Sequence, residues 1–118
     1  METDPTLVRR RAEFLFEEIT RAYDDPLEFD WPPFRQCAMA WYVAGILYEN
    51  YDRPPISDVA YDGLSRYLLD HLKEAHAAGA DLLVEADLRA GTAMGWRDFP
   101  KPFHDVADVM AQPLKGAK

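Results

Sequence analysis

Cysteine is almost missing: Cys37 is the only one in 118 residues. No disulfide can close within the chain, which excludes a disulfide-stapled scaffold and points to a reducing compartment. Cys37 itself sits among apolar residues, where a buried, inert thiol is expected rather than a nucleophile. Histidine is scarce as well. His71 and His76 are five apart, and neither they nor His104 offer the i, i+4 pairing by which imidazoles on one helix face grip a metal. His104 has Asp108 at i+4, which predicts a surface histidine–carboxylate pair. Walker-type loops, G-x-G-x-x-G, H-E-x-x-H and G-x-S-x-G are absent. The longest stretch free of charge, Gln36 to Tyr48, is too short to span a bilayer. No charged start followed by an apolar run marks a secretory signal. The expected location is cytoplasmic, with no membrane partner.

Basic residues are also in deficit. Lys and Arg number 13 against 21 Asp and Glu, for a formal charge of −8 and a pI near 4.7. Direct binding to nucleic-acid phosphates needs a basic patch, so this balance disfavours it. An acidic surface instead suits a basic partner. The one compact basic run, Arg9-Arg10-Arg11, has Glu13, Glu17 and Glu18 within a turn or two and reads as a solvated helix face.

Alternation of period two is lacking too, while helical periods run through most of the chain. Asp4-Pro5 opens a helix as cap and first residue, with Val8, Ala12, Leu15, Phe16, Ile19 and Tyr23 on its apolar stripe. Phe34 to Tyr51 is apolar nearly all round, the mark of a buried central helix. Gly45 inside it fits a close crossing by another helix. Arg53-Pro54-Pro55 ends that helix, and Ser57 or Asp58 caps a third that runs to about Ala78, completing an antiparallel hairpin. Its core stripe is Val59, Ala60, Leu64, Tyr67, Leu68, Leu72 and Ala75. Asp81 to Ala90 is expected to be helical, with Leu82, Leu83, Ala86 and Leu88 inward. Gly91 to Pro102 reads as an aromatic loop, Pro102 to Ala111 as a last short helix, and the end, PLKGAK, as a fraying tail. With 48% hydrophobic and 13% aromatic residues, the chain is expected to fold as a single domain, 1–118. The predicted fold class is all-α: a small bundle of four to five helices around a central hairpin.

Two stretches stand out for function. Tyr48 to Asp62, YENYDRPPISDVAYD, joins the hairpin helices. Asp58, Tyr61 and Asp62 stand at i, i+3 and i+4, on one helix face. Acids flanked by tyrosine rings suit a polar ring or sugar, stacked by aromatics and hydrogen-bonded by oxygens. The second stretch, DDPLEFDWPP, places Asp24, Asp25, Glu28 and Asp30 around Leu27, Phe29 and Trp31 in a proline-rich loop. Those aromatics either pack the loop onto the core or form an apolar anchor inside a charged rim.

The first stretch resembles the N-terminal Ia domain of NAD-dependent DNA ligases, whose helical hairpin carries Y-H-x-x-D-x-P-x-x-x-D-x-x-Y-D. Tyr48, Asp52, Pro54, Asp58, Tyr61 and Asp62 meet that pattern without a change of spacing. The resemblance covers roughly residues 38 to 76. It implies a site for nicotinamide mononucleotide or NAD, with Tyr48 and Tyr61 as stacking rings and Asp58 and Asp62 bonding ribose and amide. The family's histidine is Glu49 here, an anion in place of a donor, which sets phosphate binding apart from the family pattern. The chain has no K-x-D-G, the motif whose lysine becomes adenylated in a separate ligase domain. The leading expectation is a non-catalytic acidic interaction protein on a ligase-Ia-like fold. Its expected partner is a basic, nucleic-acid-binding protein, in the manner of a phage-encoded anti-CRISPR-like or anti-restriction-like inhibitor of a host complex. No cofactor is required. The alternative is a nicotinamide mononucleotide or NAD-binding module, or the accessory subunit of a split ligase; a weaker one is an activity completed by a separate nucleotidyltransferase subunit.

Overall fold

The computed structural model describes residues 4–91, 93 and 95–111. They form six α-helices and one 3-10 turn, with no strand among them. The helices are α1 Pro5–Asp24, α2 Phe34–Tyr51, α3 Asp58–Asp70, α4 Leu72–Ala77, α5 Glu85–Ala90 and α6 Lys101–Ala111. The 3-10 turn is Trp96–Asp98, just before α6. Thr92 and Met94 of the aromatic loop, and the expected fraying tail, lie outside the described residues.

The start signals act as the sequence implies. Asp4 accepts from the Thr6 amide at 2.9 Å, with Pro5 at the first helical position. Ser57 Oγ accepts from the Ala60 amide at 3.2 Å and opens α3. Asp52 closes α2 in the left-handed region at φ 53, and the Pro-Pro turn follows.

The centre of the fold is α2, which packs against α1, α3, α4, α6 and the 3-10 turn. Every residue from Cys37 to Leu47 except Met39 is buried. Such a helix gains nothing from an isolated amphipathic face; its stability comes from neighbours on all sides. Two glycines mark where those neighbours come closest. A Cβ on Gly45 would lie 2.4 Å from that of Ala93, and one on Gly63 would lie 2.3 Å from the Tyr23 ring. Tyr23 of α1 therefore rests one side of its ring against α3 at Gly63 while staying 38% exposed.

Several expectations change. The helix expected over 58–78 is two helices, since His71 leaves helical geometry at φ −120, ψ 31. Its ring nitrogen Nδ1 stands 2.9 Å from the Tyr67 carbonyl, competing with the backbone for that acceptor. Its ring also leans on Tyr67 and Phe34. This division, rather than a new element, raises the helix number from the expected four to five to six.

The segment 81–84 is a turn, not helix, because the Leu83 carbonyl is drawn to His76 Nε2 at 2.9 Å. Leu83 and Leu88 remain inward, while Leu82 and Ala86 face out. Val59 is likewise exposed, on a first turn that no neighbour covers.

Finally, Arg9 is not simply solvated. Its guanidinium donates to the Val109 carbonyl at 2.6 Å, tying α1 to the C-terminal end of α6, where cations are favoured.

Candidate functional site

The hairpin mouth gathers residues that are up to 48 positions apart. Gly45, Tyr48 and Glu49 come from the end of α2, and Asp58, Tyr61 and Asp62 from the start of α3. Ala90, Gly91 and Ala93 close the third side. They enclose a cavity of about 180 Å³. All four site residues expected from the sequence, Tyr48, Asp58, Tyr61 and Asp62, line it.

Their local geometry follows from the helices that carry them. Tyr48 leaves α2 where burial ends, so its ring is half exposed and its hydroxyl donates to Asp58 Oδ1 at 2.8 Å. That bond ties the two hairpin helices together across the mouth. With its proton held by Asp58 and further acids nearby, the Tyr48 phenol titrates above its ordinary range. Asp62 faces outward, and its Oδ2 accepts from Arg66 Nε at 3.2 Å in an exposed pair that contributes little to stability.

Tyr61 differs from the other three. It is only 7% exposed, and its ring lies parallel to Trp41 with centroids 6.0 Å apart. On its other side stands the Tyr48 ring, at 6.4 Å and 26°. Trp41 is fixed in turn by Ser65: the indole Nε1 donates to Ser65 Oγ at 2.9 Å, and that hydroxyl donates to the Tyr61 carbonyl at 3.0 Å. Ser65 is a fully buried strut beneath the site. The Tyr61 hydroxyl is buried with no hydrogen-bond partner among the described residues. Burial, then the charges of Glu49 and Asp87, raise its pKa far above the usual phenol value.

The cavity wall missed from the sequence comes from Ala90, Gly91 and Ala93. These small residues give no motif, and only the close approach implied by Gly45 hinted at them. No lysine or arginine stands among the described residues that line the cavity. Its electrostatics are those of Glu49, Asp58 and Asp62, the last paired with Arg66, with Asp87 close enough to act on Tyr61. Among the described residues, no group of three or more His, Cys, Asp or Glu is placed to hold a metal ion.

The acidic loop is held at the opposite end of α3. Trp31 stacks on Tyr67 at 4.5 Å and 11°, six residues along α3 from Tyr61, or about 9 Å of rise. The ring is half-buried against the core, so Trp31 anchors the loop rather than offering itself to a partner. Asp24 ends α1, and Asp25 accepts from the Glu28 and Phe29 amides to set the turn. Glu28 and Asp30 are exposed beside Phe29, whose ring lies 5.9 Å from the Arg21 guanidinium carbon. Leu27, outside the expected partner residues, is 96% exposed and is the most outward large apolar side chain of the loop.

Cys37 is buried in α2, and its Sγ donates to the Pro32 carbonyl at 3.2 Å. Burial, and secondarily the charge of Glu18, pushes the thiol up to about 12. His104 lies against Trp96, and Asp108 accepts from the Tyr51 hydroxyl at 3.3 Å. No helix among the described residues is long and apolar enough to cross a membrane. Comparison with protein-family models, curated proteins and solved structures gives no match.

Proposed function

We propose that this chain is a non-catalytic acidic interaction protein that docks on a basic, nucleic-acid-binding partner. The observation that carries this reading is the loop of residues 24–31: Leu27, 96% exposed, and Phe29, 43% exposed, project beside Asp24, Asp25, Glu28 and Asp30. An exposed apolar side chain costs nothing by itself. One held at a fixed place inside a charged rim is the arrangement of an interface hot spot. The Trp31–Tyr67 stack and the bonds from the Glu28 and Phe29 amides to the Asp25 carbonyl hold the loop backbone, so little backbone ordering entropy is lost on binding. A charge of −8 steers encounter with a basic surface and repels nucleic acid itself. An inhibitor of a host nucleic-acid or defence complex, of the kind phages encode, is the class of protein that fits.

The test is to capture the partner and compare the wild type with two variants. One converts the four loop acids to Asn or Gln; the other is Leu27→Ala. The acid variant slows association and weakens its salt dependence, and Leu27→Ala speeds dissociation. Unchanged rates in both variants exclude the loop as the interface.

A second reading is favoured by the convergence of Tyr48, Asp58, Tyr61 and Asp62 on one cavity. Together with the ligase-like spacing, it supports a nicotinamide mononucleotide or NAD-binding module. At about 180 Å³ the cavity is below the ~300 Å³ at which pockets enclose a drug-sized ligand, so it would take a ring or head group rather than a whole nucleotide. Calorimetry with nicotinamide mononucleotide tests this: no heat at millimolar ligand removes the reading.

A further inference from the structure

Away from both the acidic loop and the hairpin mouth, α1 has a face that no other described element covers. Leu7, Arg10, Arg11, Phe14, Glu17 and Arg21 are all exposed there, at the spacings of three, four and seven that share one side of a helix. Between this face and α2 runs an open groove of about 780 Å³. Its apolar lining is Phe14, Leu15 and Met39. Phe14 is 58% exposed, more than any other aromatic side chain among the described residues.

The groove has a cationic end and an anionic end. Arg10 and Arg11 line it on one side of Phe14, and Glu17 and Glu18 on the other. Glu13, next in sequence to Phe14, is turned about 100° away from it and lies at the margin. Among the described residues, Arg10 and Arg11 make no ion pair with these acids, so the charges of the groove are open to an occupant.

The order of those charges decides which occupant fits. Glu17 follows Arg10 by seven residues, as Glu18 follows Arg11, and a step of seven returns to the same side of a helix within ~20°. The midpoints of the two pairs bracket Phe14. A copy of α1 laid antiparallel, Phe14 against Phe14, therefore sets its Glu17 opposite Arg10 and its Glu18 opposite Arg11. Two-fold symmetry makes each of these pairs twice, which is the self-complementarity an isologous interface requires. A parallel copy would set arginine on arginine. The helix holds four arginines and four acids, so it is neutral on a chain of formal charge −8 and lets two copies approach with least repulsion.

We infer that this face of α1, with Met39 of α2 beside it, is the interface of a symmetric homodimer in which a second copy of the chain fills the groove. The aromatic contact lies at the centre and the ion pairs at the rim. A patch of one helix face and one groove is small, so the dimer is reversible rather than permanent. Nothing in it depends on the docking role of the acidic loop, and either can fail alone.

The experiment is sedimentation equilibrium of the intact chain at low salt, up to about 1 mM, the range in which weak association is read. The wild type shows a monomer–dimer equilibrium that weakens as salt rises. Arg10, Phe14 and Glu17 are exposed, so changes there leave the helical circular dichroism intact. Phe14→Ala weakens the dimer at least about tenfold, since the central ring is lost from both copies. Arg10→Glu and Glu17→Arg each weaken it about tenfold, because two attractive pairs become repulsive. An equal mixture of those two variants associates as the wild type does. So does the chain that carries both changes, since Glu at 10 then faces Arg at 17 of the second copy. Converting the four loop acids does not weaken the dimer.

A wild type that stays monomeric at about 1 mM overturns the inference and leaves the groove to a different protein. A dimer indifferent to Phe14→Ala overturns it too. So does a doubly changed chain that associates as weakly as either single variant, because only the antiparallel pairing restores it.

Discussion

Ser65→Ala is a small change with a calculable effect. Ser65 is fully buried on α3 and accepts the Trp41 indole N–H at 2.9 Å, while its own hydroxyl donates to the Tyr61 carbonyl at 3.0 Å. Alanine removes the acceptor but not the indole, which is 1% exposed and out of reach of water. An orphaned buried donor costs about 1–3 kcal/mol. The Tyr61 carbonyl loses less, since as residue i−4 it also serves the helix backbone. Alanine returns up to about 0.5 kcal/mol through its better helix propensity. The net loss expected is about 1–2.5 kcal/mol. For a domain of this size that is a fall in melting temperature of about 4–10 °C. Urea unfolding gives the number directly, provided the slope m is unchanged. A cycle with Trp41→Phe, which removes the donor, isolates the pair: Ser65→Ala should cost about 1 kcal/mol less in that background. Equal stability of Ser65→Ala and wild type, or a cycle without coupling, would refute the account of Ser65 as the strut that holds Trp41 beneath the cavity.

Gly45→Ala should destabilise the protein even though alanine in a helix interior is worth about 1 kcal/mol over glycine. The new methyl meets Ala93 at 2.4 Å and Tyr61 Oη at 3.3 Å, and overpacking of this kind costs about 1–3 kcal/mol. A raised urea midpoint would show the approach of Ala93 to be loose. Cys37 should resist thiol reagents at pH 8 in the native protein and react on unfolding; rapid native labelling would contradict its burial. The same burial makes stability fall at alkaline pH. Cys37 and Tyr42 have folded pKa values raised to about 12, from about 9 and 10, by burial first and then by Glu18 and Asp81 respectively, with the Leu82 backbone opposing at Tyr42. The folded state therefore holds protons that the unfolded state releases, and their stabilisation, complete below pH 9, is lost as pH rises toward 12. A urea midpoint that stays level from pH 9 to 11 would count against both assignments.

The parts of the fold that were legible in the sequence are those fixed by neighbours in the chain. Asp4-Pro5 and Ser57 cap their helices through bonds to amides two or three residues away. The unbroken apolar surface of Phe34–Tyr51 needs no partner to be recognised as central. The spacing of Asp58, Tyr61 and Asp62 was legible for the same reason. What the chain's periodicity could not show was which side of each helix a distant element covers. Val59 keeps phase with the α3 stripe yet stays exposed. Trp31 and Leu27 look interchangeable in an alternating loop, but only Trp31 finds a ring, Tyr67, to stack on. The break at His71 and the turn at 81–84 arise from histidine nitrogens competing for backbone carbonyls, an event without a periodic signature. Arg9 reads as one of three surface arginines until the end of α6, Val109, is folded against it.

The file of rings Trp41, Tyr61 and Tyr48 runs from the interior to the solvent with successive centroids 6.0 and 6.4 Å apart and near-parallel planes. Electronic transitions of rings so close and so aligned mix, and the fixed, chiral arrangement gives them rotational strength in the near ultraviolet. The outermost ring is the one a visitor to the hairpin mouth would touch, and the innermost is a tryptophan. Occupation of the mouth is thereby written into the circular dichroism between the tyrosine and tryptophan bands, without a dye or a label. The protein carries its own optical gauge of what sits in the corner between its two central helices.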